Sequence, residues 1–241
     1  MKTVLTISAL DPSGGAGANA DIKTAKALSF HPCSIITALT VQNSRNLFSV
    51  HPAPPEIIKE QFFALLEDFE FSAVKIGVIP NSEVARAVLD CIKKLECPKV
   101  LDPVLFASVG GKLGEKSAYE LLMPEVSVIT PNYSEAKVFG SKENPEELAL
   151  ELFKKYGCSV VITGGELKGR DIVCDKGKIY SVEAELLTGS FHGTGCVYSS
   201  ALACYLATGD LEFAVRKARI FVLESVKRGF RVGKGWLFVN P

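Results

Sequence analysis

Hydrophobic and polar positions along the chain fall into two alternating rhythms. Short aliphatic runs predict buried strands: VLTIS from Val4, SIITALTV over 34–41, AVKIGVI over 73–79, KVLDPV over 99–104, VSVIT over 126–130 and SVVITGG over 159–165. DIVC and KIYSVE add a pair facing each other across the turn Asp175-Lys176-Gly177. Between these runs the apolar spacing turns helical. Ile22, Ala25 and Leu28 share one face of 18–28. Ile57, Ile58, Phe62, Leu65 and Leu66 form a stripe along 55–69, entered at a proline. Further helices are expected over 82–96, 116–123, 145–156, 195–207 and 211–229. Buried strands separated by helices are βαβ crossovers, so the expected fold class is α/β with a mainly parallel central sheet. No repeat, low-complexity segment or long linker interrupts the pattern, and residues 1–241 read as a single domain.

Composition narrows the function classes. Of 241 residues, 47% are hydrophobic and 22% charged, the balance of a packed globule and not of a disordered chain. Twenty-seven Lys and Arg offset twenty-seven Asp and Glu, so no positive field points to nucleic acid or a membrane surface. No run approaches the ~20 apolar residues that a bilayer span requires. The opening MKTVLTISALDPSGG has too short an apolar run for a signal peptide. Seven cysteines without CxxC or CxxH spacing argue against a disulfide framework or a structural zinc site. The expectation is a cytoplasmic protein with reduced thiols and a small-molecule ligand.

In open α/β sheets ligands bind beyond the carboxyl ends of the strands, and there the unusual residues gather. Asp11-Pro12-Ser13-Gly14-Gly15 follows the first strand and Gln42-Asn43 the second. Gly77, Asp102-Pro103, Thr130-Pro131-Asn132 and Thr163-Gly164-Gly165 end the next four. Residues 15–20 formally fit the dinucleotide pattern GxGxx(G/A), but the second strand ends in Gln42-Asn43 with no acid to hold a ribose. A tight strand-to-helix turn is the plainer reading, and no GxxxxGK[ST] loop occurs anywhere. A better anion site is Phe191-His192-Gly193-Thr194-Gly195-Cys196, whose glycines open a helix and leave backbone N–H groups free to converge. The helix field there would favour a Cys196 thiolate, although a small residue packed at a helix start is the plainer reading of that cysteine. Asp102 and Glu135 both lie just past strands and could hold Mg²⁺ against nucleotide phosphates. An Asp-Pro turn and a helix first-turn Glu would account for them as well. His31 and His51 adjoin prolines and read as solvated loop residues, whereas His192 draws interest only by preceding the glycine turn.

Taken in order, DPSGGAG (11–17), ITALTVQNS (36–44), KIGVI (75–79), LDPV (101–104), LLMPEVSVITPNYSEA (121–136), VVITGG (160–165), DIVCD (171–175) and HGTGC (192–196) form a recognisable series. The chain resembles the hydroxymethylpyrimidine/phosphomethylpyrimidine kinases, the thiamine-pathway branch of the ribokinase superfamily, from Val4 to about Gly235. The resemblance implies a ribokinase-like sheet flanked by helices on both faces. It also implies ATP- and Mg²⁺-dependent phosphorylation of a hydroxymethyl group on an aminopyrimidine, then of the monophosphate. On the same ground Cys196 stands where other ribokinases place a basic aspartate, with the amides of Gly193, Thr194, Gly195 and Cys196 stabilising the transferring group. Asp102 and Glu135 match the metal side, Asn132 and Thr163 the nucleotide side, and Gln42, Asp11, Ala9 and Val78 the substrate side. A homodimer is the family's habit.

The chain departs from the family in places. Ala9-Leu10 replaces the usual Gly-(Ser/Thr) before the first-loop acid. Val78 replaces a methionine, while Thr163 and Glu166 replace the lysine and histidine of KGGH. Ala107-Ser108-Val109-Gly110-Gly111 is a candidate lid or an ordinary exposed turn. Pyridoxal kinase of the same branch is the nearest rival. Some of those enzymes carry a second cysteine in the lid, and residues 105–114 have none. A non-catalytic binder on a kinase fold is the rival from another class.

Overall fold

The computed structural model describes residues 1–185 and 189–241. Nine strands form one sheet: β1 (Thr3–Leu10), β2 (His31–Gln42), β3 (Leu47–Pro52), β4 (Ala73–Ile76), β5 (Lys99–Leu101), β6 (Val128–Ile129), β7 (Ser159–Ile162), β8 (Arg170–Asp175) and β9 (Lys178–Glu183). Their order is β3-β2-β1-β4-β5-β6-β7-β8-β9. The pairings from β2 through β1, β4, β5 and β6 to β7 are parallel, and β3, β8 and β9 add antiparallel edges. Each parallel crossover carries a helix, as the alternating pattern requires.

The helices are α1 (Gly17–Ala27), α2 (Pro55–Leu66), α3 (Ser82–Ile92), α4 (Lys116–Leu122), α5 (Tyr133–Phe139), α6 (Pro145–Tyr156), α7 (Thr194–Leu206) and α8 (Leu211–Lys227). They cover both faces, and two apolar cores result. One packs Leu5, Ile7, Val74, Ile76 and Ile129 against α2–α6; the other packs Val4, Ala73, Val100, Val128 and Val161 against α1, α7 and α8. Consecutive strand residues point to opposite faces, which is why Val4 and Leu5 enter different cores. No helix among the described residues is long and apolar enough to cross a membrane.

Most of the predicted elements are present; β1 and β2 run longer than expected and the next four predicted strands are shorter. The run 73–79 ends as a strand at Ile76 and 99–104 at Leu101; Gly77 N and Asp102 N make the last bonds to the neighbouring strands, to Ile7 O and Ile76 O, and Asp102 lines the site. The expectation of a fully buried second strand needs correction. Leu39 and Val41 are exposed on the face opposite buried Thr40; Leu39 pairs with Leu10 of β1 and His51 of β3, and beyond it β2 pairs only with the edge strand β3. Helix 82–96 stops at Ile92 and continues as a turn. Outside the large sheet, β10 (Phe191–His192) pairs in parallel with β11 (Leu237–Phe238).

Candidate active site

The carboxyl ends of the parallel strands and the N-terminus of α7 enclose a cavity of about 580 Å³, in the range of small-ligand sites. Every candidate named from the sequence lines it: Ala9, Asp11, Gln42, Val78, Asp102, Asn132, Glu135, Thr163 and Gly193–Cys196.

At the β1–β2–β4 end, Ala9 and Val78 pack with Ala38 into a small apolar floor. Asp11 stands beside it. Its Oδ1 accepts from Ser13 N (2.8 Å), and its Oδ2 from Ala16 N (2.9 Å), Ser13 Oγ (2.9 Å) and His192 Nε2 (2.8 Å). Burial would raise this carboxyl, but the hydrogen bonds from His192, Gln42 and Ser13 outweigh it and hold it down at about 2. Both oxygens are thus engaged, and Asp11 shapes the glycine loop and fixes the neighbourhood of Gln42. His192 is 3% exposed and stacks edge-on against Phe238. Sequence position alone could not reveal this pairing, whose partners lie 181 residues apart. His31 and His51 are exposed, as expected, but they lie in strands and not in loops: His31 opens β2 and His51 is in the edge strand β3.

The two glycine loops touch. Gly193 has φ +91°, and a Cβ there would lie 1.9 Å from the carbonyl oxygen of Gly15. Only glycine fits both the conformation and the approach. This turn opens α7 with no side-chain cap. Among the described residues the N–H groups of Thr194, Gly195 and Cys196 donate to no protein acceptor, which suits an anion.

Cys196, partly exposed to the cavity, sits in that first turn. The expectation of a favoured thiolate is overturned: desolvation pushes the thiol up to about 12, and Asp21 and Asp102 push the same way. The charge pulling against them belongs to Lys75, a residue not singled out in the sequence. Lys75 and Asp21 form an ion pair at 2.9 Å, each side chain 1% exposed. Thr6 Oγ1 (2.5 Å) and Ser200 Oγ (2.7 Å) donate to the same carboxylate. Burial opposes the Lys75 charge, yet Asp21, Cys196 and Asp102 keep its ammonium protonated well above the usual range. Gly77 makes room for it, since a Cβ there would meet Lys75 Nζ at 2.7 Å and Ser8 Oγ at 2.4 Å.

Asp102 and Glu135 lie close enough to repel. Burial lifts Asp102 to about 6 against the pull of Lys75 and Ser199, whose Oγ donates to Oδ2 at 3.0 Å. Burial and then the charge of Asp102 lift Glu135 to about 8. Glu135 also closes a capping box on α5 with Asn132, and Leu105 N donates to its Oε1. The helix-capping reading of Glu135 is therefore observed, and it is compatible with a charged role. No cluster of three or more His, Cys, Asp or Glu among the described residues is placed to hold a metal by itself. Two hard carboxylates with raised affinity for positive charge nonetheless fit Mg²⁺, which keeps much of its water and takes phosphate oxygens. Asn132 and Thr163 meet in an isolated parallel bridge beyond β6 and β7. Glu166 turns back to accept from Ser134 N (2.8 Å) and Oγ, tying this loop to the start of α5. Across the cavity mouth, Phe106 bridges Lys112 around the lid candidate, and Ala107 and Ser108 face the cavity.

A helix entry with free amides facing two neighbouring carboxylates in one cavity suits transfer of a phosphoryl group. Residues 11–240 match the family described as Phosphomethylpyrimidine kinase. The chain is 39% identical to the hydroxymethylpyrimidine/phosphomethylpyrimidine kinase of Aquifex aeolicus, over 96% of this chain and 97% of that one. Among solved structures it is similar to the phosphomethylpyrimidine kinase of Clostridium difficile 630, with TM-score 0.81, 31% identity and coverage of 94% and 100%. It is also similar to Bacillus subtilis pyridoxal kinase, solved as an ADP complex, with TM-score 0.89, 26% identity and coverage of 100% and 97%. From these matches and the architecture, the chain belongs to the phosphomethylpyrimidine kinase family and has the ribokinase-like fold.

Proposed function

We propose that the chain, acting as one kinase domain, transfers the γ-phosphoryl group of ATP to the hydroxymethyl group of 4-amino-5-hydroxymethyl-2-methylpyrimidine and then phosphorylates the resulting monophosphate. The carrying observation is the pairing of a free-amide helix entry at Gly193–Cys196 with the coupled acids Asp102 and Glu135 in one cavity. The aminopyrimidine lies over Ala9 and Val78, with Gln42 offering a donor and an acceptor to its edge. The thiolate form of Cys196 takes the hydroxyl proton as that oxygen attacks the γ-phosphorus and the bond to the β-phosphate oxygen breaks, releasing ADP. The amides of Gly193, Thr194, Gly195 and Cys196 hold the charge on the group in transit. Asp102 and Glu135 would hold Mg²⁺, which would supply positive charge against the phosphates, while Asn132 and Thr163 border the nucleotide. The lid over Ala107–Gly111 excludes water that would hydrolyse ATP. A cytoplasmic homodimer accords with this reading.

Backbone likeness to pyridoxal kinase favours pyridoxal as the second reading. ATP consumption with Mg²⁺ and, in parallel, hydroxymethylpyrimidine, its monophosphate or pyridoxal separates the two, with products identified by mass. Phosphorylated pyrimidines are expected. Pyridoxal phosphate alone would reassign Gln42 to another ring, and turnover of none of the three would refute the kinase reading.

A further inference from the structure

Trp236, the chain's single tryptophan, is partly buried on the cavity wall and has no place in the core. Among the described residues it joins none of the three apolar clusters and pairs with no other ring. So large an apolar side chain gains further burial there only when a ligand covers it. The other large rings on the wall differ. Tyr198 donates to Asp171, Phe191 packs against the core of α1, α7 and α8, and Phe106 is 61% exposed on the lid candidate.

The tail of the chain is built to present Trp236. Residues 230–238 close on themselves, with Phe230 N donating to Phe238 O (3.0 Å) and Phe238 N to Phe230 O (2.9 Å). The tip of this loop is fastened to Ser44, just past Gln42. Gly235 N donates to Ser44 Oγ (3.1 Å) and Trp236 N to Ser44 O (3.0 Å). Phe238, from the same tail, packs against Gly15 and edge-on against His192, whose partner Asp11 neighbours Gln42. The tail therefore meets the β1–β2 end of the cavity at two points, one on each side of Trp236. We propose that Trp236 forms an aromatic wall of the pyrimidine pocket, its indole face stacking on the aminopyrimidine ring. This rests on the pyrimidine kinase reading above. Ala9, Ala38 and Val78 give that ring a floor of small side chains, and the indole adds the broad apolar face that they lack.

Adenine is the other flat ring in the proposed reaction, and the sheet order argues against it. Ser44 follows β2, whereas Asn132 follows β6, four strands away across β1, β4 and β5. At about 4.8 Å per strand that is roughly 19 Å.

The test is calorimetric binding of hydroxymethylpyrimidine, pyridoxal and ADP, each alone, which needs no turnover. Trp236→Leu keeps an apolar side chain but removes the ring face. It should weaken hydroxymethylpyrimidine about 5- to 100-fold and leave ADP within about twofold. Trp236→Phe should restore binding to within about threefold of wild type. Unchanged hydroxymethylpyrimidine affinity in the Leu variant, equal losses for it and ADP, or a Phe variant as weak as the Leu variant would each overturn the proposal. Should the variants not fold, the wild-type tryptophan emission decides, because it comes from Trp236 alone. Quenching by hydroxymethylpyrimidine that saturates at its calorimetric Kd supports the wall. Unchanged emission at saturation, or quenching by ADP instead, refutes it. Pyridoxal bound in place of hydroxymethylpyrimidine, with the same loss in the Leu variant, would keep the aromatic wall and defeat only the pyrimidine reading. Wild-type protein that binds neither ring would defeat both.

Discussion

At the scale of single residues, Cys196 carries a consequence that its sequence position hides. A helix entry normally eases a thiol toward its anion, but here desolvation and two carboxylates dominate and lift it to about 12. Below that value the thiolate fraction rises tenfold per pH unit. If Cys196 is the base, kcat/KM should therefore climb steadily from pH 7 to pH 9 once binding effects are separated. Cys196→Ser should lower turnover at least 100-fold and abolish the slope, with pyrimidine affinity retained. A flat wild-type profile would remove Cys196 from that role. Asp11 shows the opposite balance: it is as enclosed as many core residues, yet four hydrogen bonds to its two oxygens keep it ionised. Its partner His192 and the charge of Lys75 escaped sequence reading for one reason. Their meaning lies in contacts with Asp11 and Asp21, far away along the chain.

At the scale of elements, the Lys75–Asp21 pair links β4 to α1 and, through Ser200, to α7. Breaking a buried pair leaves one charge uncompensated, so Lys75→Met should cost roughly 3–5 kcal/mol. The double variant Lys75→Met, Asp21→Asn should recover most of that in thermal denaturation. It should not recover activity: we expect kcat/KM to stay at least tenfold low, because the positive charge near Cys196 is gone. Recovery of both would reduce the pair to scaffolding. Elements with long apolar runs were legible from sequence, and their faces followed from period alone. Three kinds were not. LFSVHP (β3) is an edge strand with polar residues and a proline, YSEAKVF (α5) is two turns long behind Pro131, and β10 and β11 are two residues each. Such pieces are held by what they pack on, and their own sequences carry little periodic signal. The strand-end clusters were legible as a site because glycine, proline and isolated acids interrupt otherwise apolar strands.

For the whole molecule, the site sets a stability cost that depends on pH. Asp102 and Glu135 have folded-state values of about 6 and 8, above their ordinary values of 3.8 and 4.5. The folded state therefore binds more protons than the unfolded chain, and their contribution to stability falls as pH rises from about 4 to 8. Asp102→Asn should melt several degrees above wild type at pH 8 without Mg²⁺ and lose that advantage near pH 4, while turnover collapses. Equal melting temperatures at both pH values would refute the coupling. The strand pair β10–β11 has a different consequence, one of timing. Gly15, near the start of the sequence, packs against Phe238, near its far end, and Phe238 also braces His192. A nascent chain can complete its nine-stranded sheet before residue 237 is made, yet the wall behind its first glycine loop arrives only with Leu237 and Phe238. Catalytic competence would then switch on once Leu237 and Phe238 are in place instead of growing with length. Even a short deletion beginning at Leu237 should leave a folded but idle protein.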